Sequence, residues 1–242
     1  MFNGVKQTTG PRLTSIDIPD SVRSIGSRAF WKAPLESVTL PAGLQTIESR
    51  AFECTLLKTV SLGAAVSSIG DRAFGDCANL TAINVAAGNA TYSSDNGVLL
   101  DDVAKKVVAY PAGKTDEFFA FPKGYSVASY AFIGSQVKEI YLPLITQIAE
   151  NAFYGAKGLM TIEIPFTVRD IGASAFRECT NLTTVILNEG VEFIGGGAFY
   201  GCDNLSEVVL PMSVKTIDRK AGYYTVNAFG TSTTVKVQLS KE

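Results

Sequence analysis

The chain has 242 residues and a formal net charge of −2, and 46% of its residues are hydrophobic. This near-neutral composition argues against nucleic-acid binding, which needs a strongly basic surface, and against a polybasic membrane anchor. The absence of histidine excludes histidine-based acid–base catalysis and histidine-ligated metal sites.

The N-terminal segment MFNGVKQTTGPR lacks the apolar core of a signal peptide. The sequence also contains no run of about 18 apolar residues, so no transmembrane segment is predicted. If the protein is exported, we expect that its signal or anchor is not present in this chain.

One pattern of 21 to 23 residues recurs along most of the chain, and its most regular marker is an Ala-Phe pair. A fixed period of this length is typical of a solenoid, in which each unit buries its apolar face against its neighbours. We therefore predict a single solenoid domain over residues 1–242, with one coil per unit and parallel strands. The marker phenylalanines are Phe30, Phe52, Phe74, Phe132, Phe153, Phe176, Phe199 and Phe229.

The first unit shows the order of elements that the others repeat. Ile16 and Ile18 have the spacing of a strand with one buried face, and Pro19 ends that strand because proline cannot donate to a ladder. A second apolar position follows at Ile25. The next segment, SRAF, is too short for a stable helix, so we expect one turn of helix or 3₁₀ that points Phe30 inward.

Two long gaps between markers indicate insertions, which in solenoids often lie on the binding face. In the first insertion, residues 85–115, the apolar runs Val98–Leu100 and Val107–Tyr110 flank a polar turn, a pattern typical of a β-hairpin. The second insertion, residues 218–226 with the sequence DRKAGYYTV, is predicted to be a loop that exposes two tyrosines.

The unit LTTVILNEGVEFIGGGAFYGCDN resembles the BspA-like leucine-rich repeats of the Treponema pallidum type, whose pattern is close to LxxIxLPxxLxxIxxxAFxxCxx. The resemblance extends over residues 13 to about 233, with Asn188 in place of an expected proline. It implies a right-handed repeat solenoid with parallel β-strands on its concave face and short turns or 3₁₀ on the convex side. It also implies cell-surface or secreted proteins of host-associated bacteria that act in adhesion and protein binding.

The four cysteines follow marker phenylalanines by two or three residues, in a slot that other units fill with Ala33, Ser135 or Ala156. We interpret them as buried, reduced thiols that pack as small hydrophobic side chains. Pairs from adjacent coils could approach within disulfide range, although equivalent side chains in a ladder point the same way. The cysteines are Cys54, Cys77, Cys179 and Cys202.

No residue pattern indicates catalysis or metal binding. The chain has neither a CxxC motif for zinc nor a GxSxG elbow for a nucleophilic serine. Asp95-Asn96-Gly97 and Asp101-Asp102 lack EF-hand spacing and are interpreted as turns rather than as a calcium loop. We therefore predict no enzymatic activity, no metal and no cofactor.

The exposed strand position between two buried ones carries the clearest functional signal. It is small and polar in the first half of the chain and becomes bulky and apolar in the second half. An apolar stripe rimmed by charge is typical of a binding surface, although β-branched and aromatic residues also suit strands in general. The predicted ligand-binding residues are Phe118, Glu139, Tyr141, Met160, Glu163, Ile186 and Val209.

These observations together predict a non-enzymatic module at the cell surface or secreted, which mediates adhesion through the concave face and the insertions. Its expected partner is a host or bacterial surface protein, or a glycan, and we expect the module to be a monomer. The alternative is a structural spacer or a self-associating scaffold that displays another domain, since the open ends of a solenoid can pair end to end.

Overall fold

The computed structural model of the protein describes residues 13–217, 228–229 and 233–237. The chain divides into two compact units, Met1–Lys114 (unit 1) and Thr115–Glu242 (unit 2). Both are built from turns of a parallel β-solenoid, about nine in the chain, and the described residues contain no helix. Accordingly, these residues include no helix that could cross a membrane. The single domain over residues 1–242 stays a prediction, and the insertion at 218–226 lies outside the described residues.

The solenoid strands of unit 1 pair in parallel, coil on coil. β1 pairs with β3 and β5 pairs with β7, while β2, β4 and β6 form a second sheet in which Ile25, Ile47 and Ile69 are in register. The strands of this unit are β1 (Ser15–Asp17), β2 (Ser24–Ile25), β3 (Ser37–Thr39), β4 (Thr46–Ile47), β5 (Thr59–Leu62), β6 (Ser68–Ile69), β7 (Ala82–Val85), β8 (Tyr92–Asp95), β9 (Val98–Asp101) and β10 (Lys106–Ala109).

Unit 2 repeats this arrangement. One four-stranded parallel sheet has the order β11-β13-β15-β17, a second has the order β14-β16-β18-β20, and β19 pairs with β21. Its strands are β11 (Phe118–Ala120), β12 (Ser126–Val127), β13 (Glu139–Tyr141), β14 (Gln147–Ile148), β15 (Thr161–Ile164), β16 (Asp170–Ile171), β17 (Thr184–Leu187), β18 (Phe193–Ile194), β19 (Glu207–Leu210), β20 (Thr216–Ile217) and β21 (Thr234–Val237). The predicted parallel solenoid is therefore confirmed.

The marker phenylalanines form stacked ladders inside each unit. In unit 2, the ring centroids of Phe153 and Phe176 are 4.9 Å apart and the rings are within 2° of parallel. In unit 1, Phe52 is stacked on Phe30 and on Phe74. The regular spacing of the Ala-Phe pairs places one ring in each coil, directly against the ring of the next coil. Stacked aromatic pairs stabilise a core beyond the area that they bury, so these contacts hold neighbouring coils together.

The SRAF segment and its equivalents form turns, so the expected turn of helix or 3₁₀ is wrong. Ala29 N–H donates to Gly26 within its own coil, but Phe30 N–H donates to Ala51 of the next coil over 2.8 Å. In a helix, each of these backbone N–H groups would donate to a carbonyl of the same coil. Here the N–H groups alternate, so that those of Arg28 and Phe30 donate to the neighbouring coil. The turns require a left-handed backbone at Arg28, with φ of 57°, which costs a non-glycine residue about 1–2 kcal/mol.

The cysteines occupy two different slots. Three lie three residues after the marker, are buried, and donate their thiol to the carbonyl oxygen of the preceding coil's phenylalanine, as Cys179 does to Phe153 over 3.1 Å. Cys54 comes two residues after its marker, is half-buried and has a left-handed backbone, while Thr55 fills the buried slot. All four cysteines are free thiols in the structure.

The insertion at 85–115 contains the predicted hairpin, extended by one further strand. β9 pairs antiparallel with β10 and also with β8, and Asn96-Gly97 forms the turn between β8 and β9. Asp101 accepts the backbone N–H groups of the turn that follows it, so this carboxylate stabilises the hairpin itself. Tyr92 caps the edge of the second sheet of unit 1, since its hydroxyl accepts the N–H of Ile69.

Candidate functional site

Exposed side chains cover one side of strands β11, β13, β15, β17 and β19, and we call this surface the strand face of unit 2. Burial alternates along each strand, so that Val185 and Leu187 of β17 are buried while Thr184 and Ile186 are exposed. Neighbouring strands of a sheet lie about 4.8 Å apart. Side chains that are in register on adjacent strands are therefore close enough to act together.

All seven predicted ligand-binding residues are exposed. Six of them lie on the strand face, and Met160 immediately precedes β15. Phe118 and Tyr141 pack edge to face, with ring centroids 6.0 Å apart and an angle of 72° between the ring planes. Register pairs Phe118 with Glu139 and Glu163 with Ile186 on adjacent strands.

A recess of about 360 Å³ opens on this face. Four of the predicted residues line it, whereas Phe118, Met160 and Val209 lie outside it. Its volume is near the lower end of the ~300–1,000 Å³ that is usual for ligand pockets. The lining residues are Glu139, Ile140, Tyr141, Leu142, Thr161, Glu163, Pro165, Phe166, Ile186 and Asn188.

The recess lies beside two neighbouring loops of unequal length. In the loop after β13, the N–H of Ile145 donates to the carbonyl of Pro143, two residues earlier. In the next coil, the N–H of Val168 donates to Pro165, three residues earlier. The loop after β13 is one residue shorter and therefore turns more tightly. The longer loop of the next coil places Phe166 at the border of the recess.

Three exposed apolar side chains that lie next to the strand face were not predicted from the sequence. Each directly follows a strand-ending proline, and their exposed fractions are 74%, 65% and 60%. The same slot in unit 1 holds Asp20 and Ala42, so a comparison of this slot along the repeat would have found them. They are Leu144, Phe166 and Met212.

The two glutamates of the recess create a negative local potential. Glu163 is held in place by Asn188, whose side-chain amide donates to Oε1 over 2.8 Å. The charge of Glu139 raises the pKa of the neighbouring Tyr141 above its usual range, because a nearby carboxylate opposes formation of a second negative charge. The recess thus combines two acidic groups with aromatic and aliphatic walls.

A second cluster, in unit 1, has ligand atoms at the spacing of a metal site. Glu53, Cys54 and Asp76 each place one ligand atom within 4.8 Å of the others. However, Arg72 already pairs with both carboxylates, and Glu53 is buried against it. Burial also raises the pKa of the Cys54 thiol, which opposes the thiolate that a metal needs. The cluster is accounted for as an ion-pair network that links two coils.

The sequence profile of the BspA type leucine rich repeat region matches residues 8–96 and 116–228, in six copies. The chain belongs to this family. The predicted family is therefore confirmed, and with it the leucine-rich-repeat solenoid. Proteins with such repeats are in general non-enzymatic scaffolds that bind other proteins on extended surfaces.

Three solved structures of bacterial proteins resemble this chain. A leucine-rich repeat protein from Eubacterium ventriosum is 28% identical with a TM-score of 0.72, and the match covers 82% of this chain and 60% of that one. A leucine rich cell surface protein from Faecalibacterium prausnitzii is 25% identical with a TM-score of 0.63, covering 94% and 60%. The pneumococcal vaccine antigen PcpA shares the fold at 22% identity, with a TM-score of 0.69 and coverage of 93% and 68%.

The chain spans about three fifths of the length of the first two of these structures. No curated protein sequence matches it.

Proposed function

We propose that this BspA type repeat protein is a non-enzymatic module, at the cell surface or secreted, that captures a protein partner on the strand face of unit 2 and so mediates adhesion. The relative from Faecalibacterium prausnitzii, at 25% identity, is a cell surface protein, which supports a position outside the cytoplasm. The repeat architecture supports binding, because stacked coils build extended surfaces on which partners dock.

The observation that carries this proposal is the contrast between equivalent positions of the two units. On the exposed side of its solenoid strands, unit 1 presents small polar residues. Unit 2 presents Tyr141, Ile186 and Val209 there, each between 43% and 54% exposed. Since both units have the same backbone pattern, the solenoid does not require apolar side chains at these positions. Exposed apolar side chains that cluster on one surface are typical of an interaction site.

The strand face is also rigid, which favours tight binding. Its backbone is held by parallel ladders on both sides of β13 and β15. A partner that docks on a preformed surface loses less conformational entropy than one that orders a loop. Aromatic residues such as Tyr141 and Phe118 add contact area with few rotatable bonds, which is a common property of residues that dominate interfaces.

The test is capture of extracellular-matrix proteins and mucosal glycans by immobilised protein, with Tyr141→Ala and Ile186→Ser as variants. We expect both variants to lose capture while their melting temperatures stay close to that of the parent. Val103→Ser is the matched control for Ile186→Ser. Val103 is also an exposed aliphatic residue, with an exposed fraction of 72%, but it lies in the hairpin of unit 1. Normal capture by both strand-face variants would show that this surface is not the site.

Protease and glycosidase treatment of the captured material separates the two partner classes. Loss of capture after proteolysis is expected for a protein partner. Loss only after glycosidase treatment would assign a glycan instead and would overturn the proposal of protein recognition. Binding that survives in both variants and is lost with Val103→Ser would move the site to the insertion.

A further inference from the structure

The two glutamates of the recess differ from three other glutamates of unit 2 in having no basic partner. On neighbouring coils of unit 2, glutamate side chains form ion pairs with lysines of the next coil. Among the residues that the structure describes, neither Glu139 nor Glu163 has a lysine or arginine within ion-pair distance. The paired glutamates are Glu117 with Lys138, Glu192 with Lys215 and Glu207 with Lys236, at N–O distances of 2.8, 2.6 and 2.6 Å.

The carboxylate of Glu163 is oriented by a residue that departs from the repeat. Asn188 stands where the repeat pattern has proline, and it donates a side-chain N–H to Glu163. Proline has no side-chain donor, so the usual repeat residue would leave this carboxylate unanchored. An ionised carboxylate has about four acceptor positions, and one hydrogen bond leaves most of them open. The anchored group is therefore both fixed and available to a second donor.

The walls of the recess suit a long side chain that ends in a positive charge. Tyr141 and Phe166 are 54% and 65% exposed and border the recess, so their rings are accessible to a ligand. A cation near an aromatic ring is attracted by the ring quadrupole, and lysine and arginine pack their methylene stems on apolar surface. Ile186 supplies such a surface beside Glu163, its neighbour in register.

We propose that the recess receives the cationic side chain of a lysine or arginine in an exposed basic segment of a protein partner. The ammonium or guanidinium group would lie between Glu139 and Glu163, with its stem against Tyr141, Phe166 and Ile186. This inference rests on the proposed function and specifies the chemistry of the partner. It follows from charge complementarity: the recess is lined by two carboxylates that have no basic partner, and by no lysine or arginine.

Short peptides test this directly on the full chain. The probes are four blocked peptides with Gly-Gly on each side of one central residue, which is lysine, arginine, glutamine or glutamate. Binding is followed by NMR, from the shifts of Ile186 and Tyr141 resonances. We expect saturable shifts with the lysine and arginine peptides alone, and affinities that decrease as sodium chloride screens the charges.

Substitution of the carboxylates provides the matched comparison. Glu139→Gln combined with Glu163→Gln keeps the shape of the recess, and we expect it to weaken binding of the basic peptides about five- to tenfold. Glu117→Gln is the control, because its carboxylate already pairs with Lys138. Equal binding of the glutamine peptide, or an unchanged affinity of the double variant, would overturn the proposal.

Two further probes distinguish other ligands. Saturation of the recess by N-acetylglucosamine, without a response to basic peptides, would assign it to a glycan. Saturation by calcium alone would assign it to a metal ion. The failures of the two proposals are also separable: if Ile186→Ser abolishes partner capture but the double glutamine variant captures normally, the strand face binds the partner without the cation contact.

Discussion

Truncation of one ring in the phenylalanine ladder tests how far the stacked core determines stability. Phe176 is fully buried, and its ring centroid lies 4.9 Å from that of Phe153 and 5.2 Å from that of Phe199. Phe176→Ala removes a buried ring and leaves a cavity, which typically costs about 3–5 kcal/mol of unfolding free energy. Two stacked contacts are lost together, each worth about 0.5–1.5 kcal/mol beyond its buried area. We therefore expect a loss in the upper half of that range.

The backbone around Phe176 limits relaxation into the cavity. Its N–H donates to Ala198 of the next coil over 2.7 Å, and the N–H of Phe153 donates to Ala175 over 2.8 Å. Closure of the cavity would require the coils to approach each other, and this ladder of hydrogen bonds holds them at a fixed spacing. The cavity should therefore persist, and the full loss should appear in the measured free energy of unfolding.

Urea unfolding monitored by circular dichroism gives the change in free energy. Because repeat arrays can unfold in parts, the whole curve is compared and not only its midpoint. Phe166→Ala is the matched control: it removes the same ring from a position that is 65% exposed, so it should change stability by less than about 0.5 kcal/mol. A Phe176→Ala loss below about 1 kcal/mol, or equal to that of the control, would refute the ladder as the main source of stability.

Three further measurements follow from the structure. A thiol reagent followed by mass spectrometry should label Cys54 first and the three buried cysteines only after denaturation. Gly158→Ala should destabilise by about 1–3 kcal/mol, because its Cβ would overlap the backbone of the preceding coil, whereas Gly26→Ala, which meets no atom, should be nearly neutral. The hydrogen bond from Lys215 lowers the pKa of Glu192; the stabilisation is therefore lost as pH falls through this lowered value, and Lys215→Ala should raise the NMR titration midpoint.

The sequence was sufficient to predict the solenoid because its core positions repeat. Ile25, Ile47 and Ile69 occupy one position in three successive units and are in register in the structure. A period of this kind specifies which residues stack, and burial of those residues specifies the strands. The hairpin was predicted from two short apolar runs that flank a polar turn, whereas β8 was missed because its segment Tyr92–Asp95 is mostly polar.

The turn segment could not be predicted in the same way, because its geometry depends on a neighbouring coil. Taken alone, SRAF has the length of a helical turn. The donor that decides its conformation is the N–H of Phe30, whose acceptor, the carbonyl of Ala51, lies a whole coil away. Left-handed φ angles at Arg28 and Lys32 follow from that long-range bond and not from local preference.

Only part of the recess could be predicted from the sequence. Glu139, Tyr141, Glu163 and Ile186 could be identified because they lie on strands whose alternation is visible in the sequence. Phe166 and Asn188 are visible in the sequence as departures from the repeat, but their part in the recess is not, because it depends on a shortened neighbouring loop and on a contact between coils. These last features are the ones that the repeat does not require for folding. A surface built where several such departures meet can change without loss of the solenoid, and this freedom lets one scaffold acquire a specific partner.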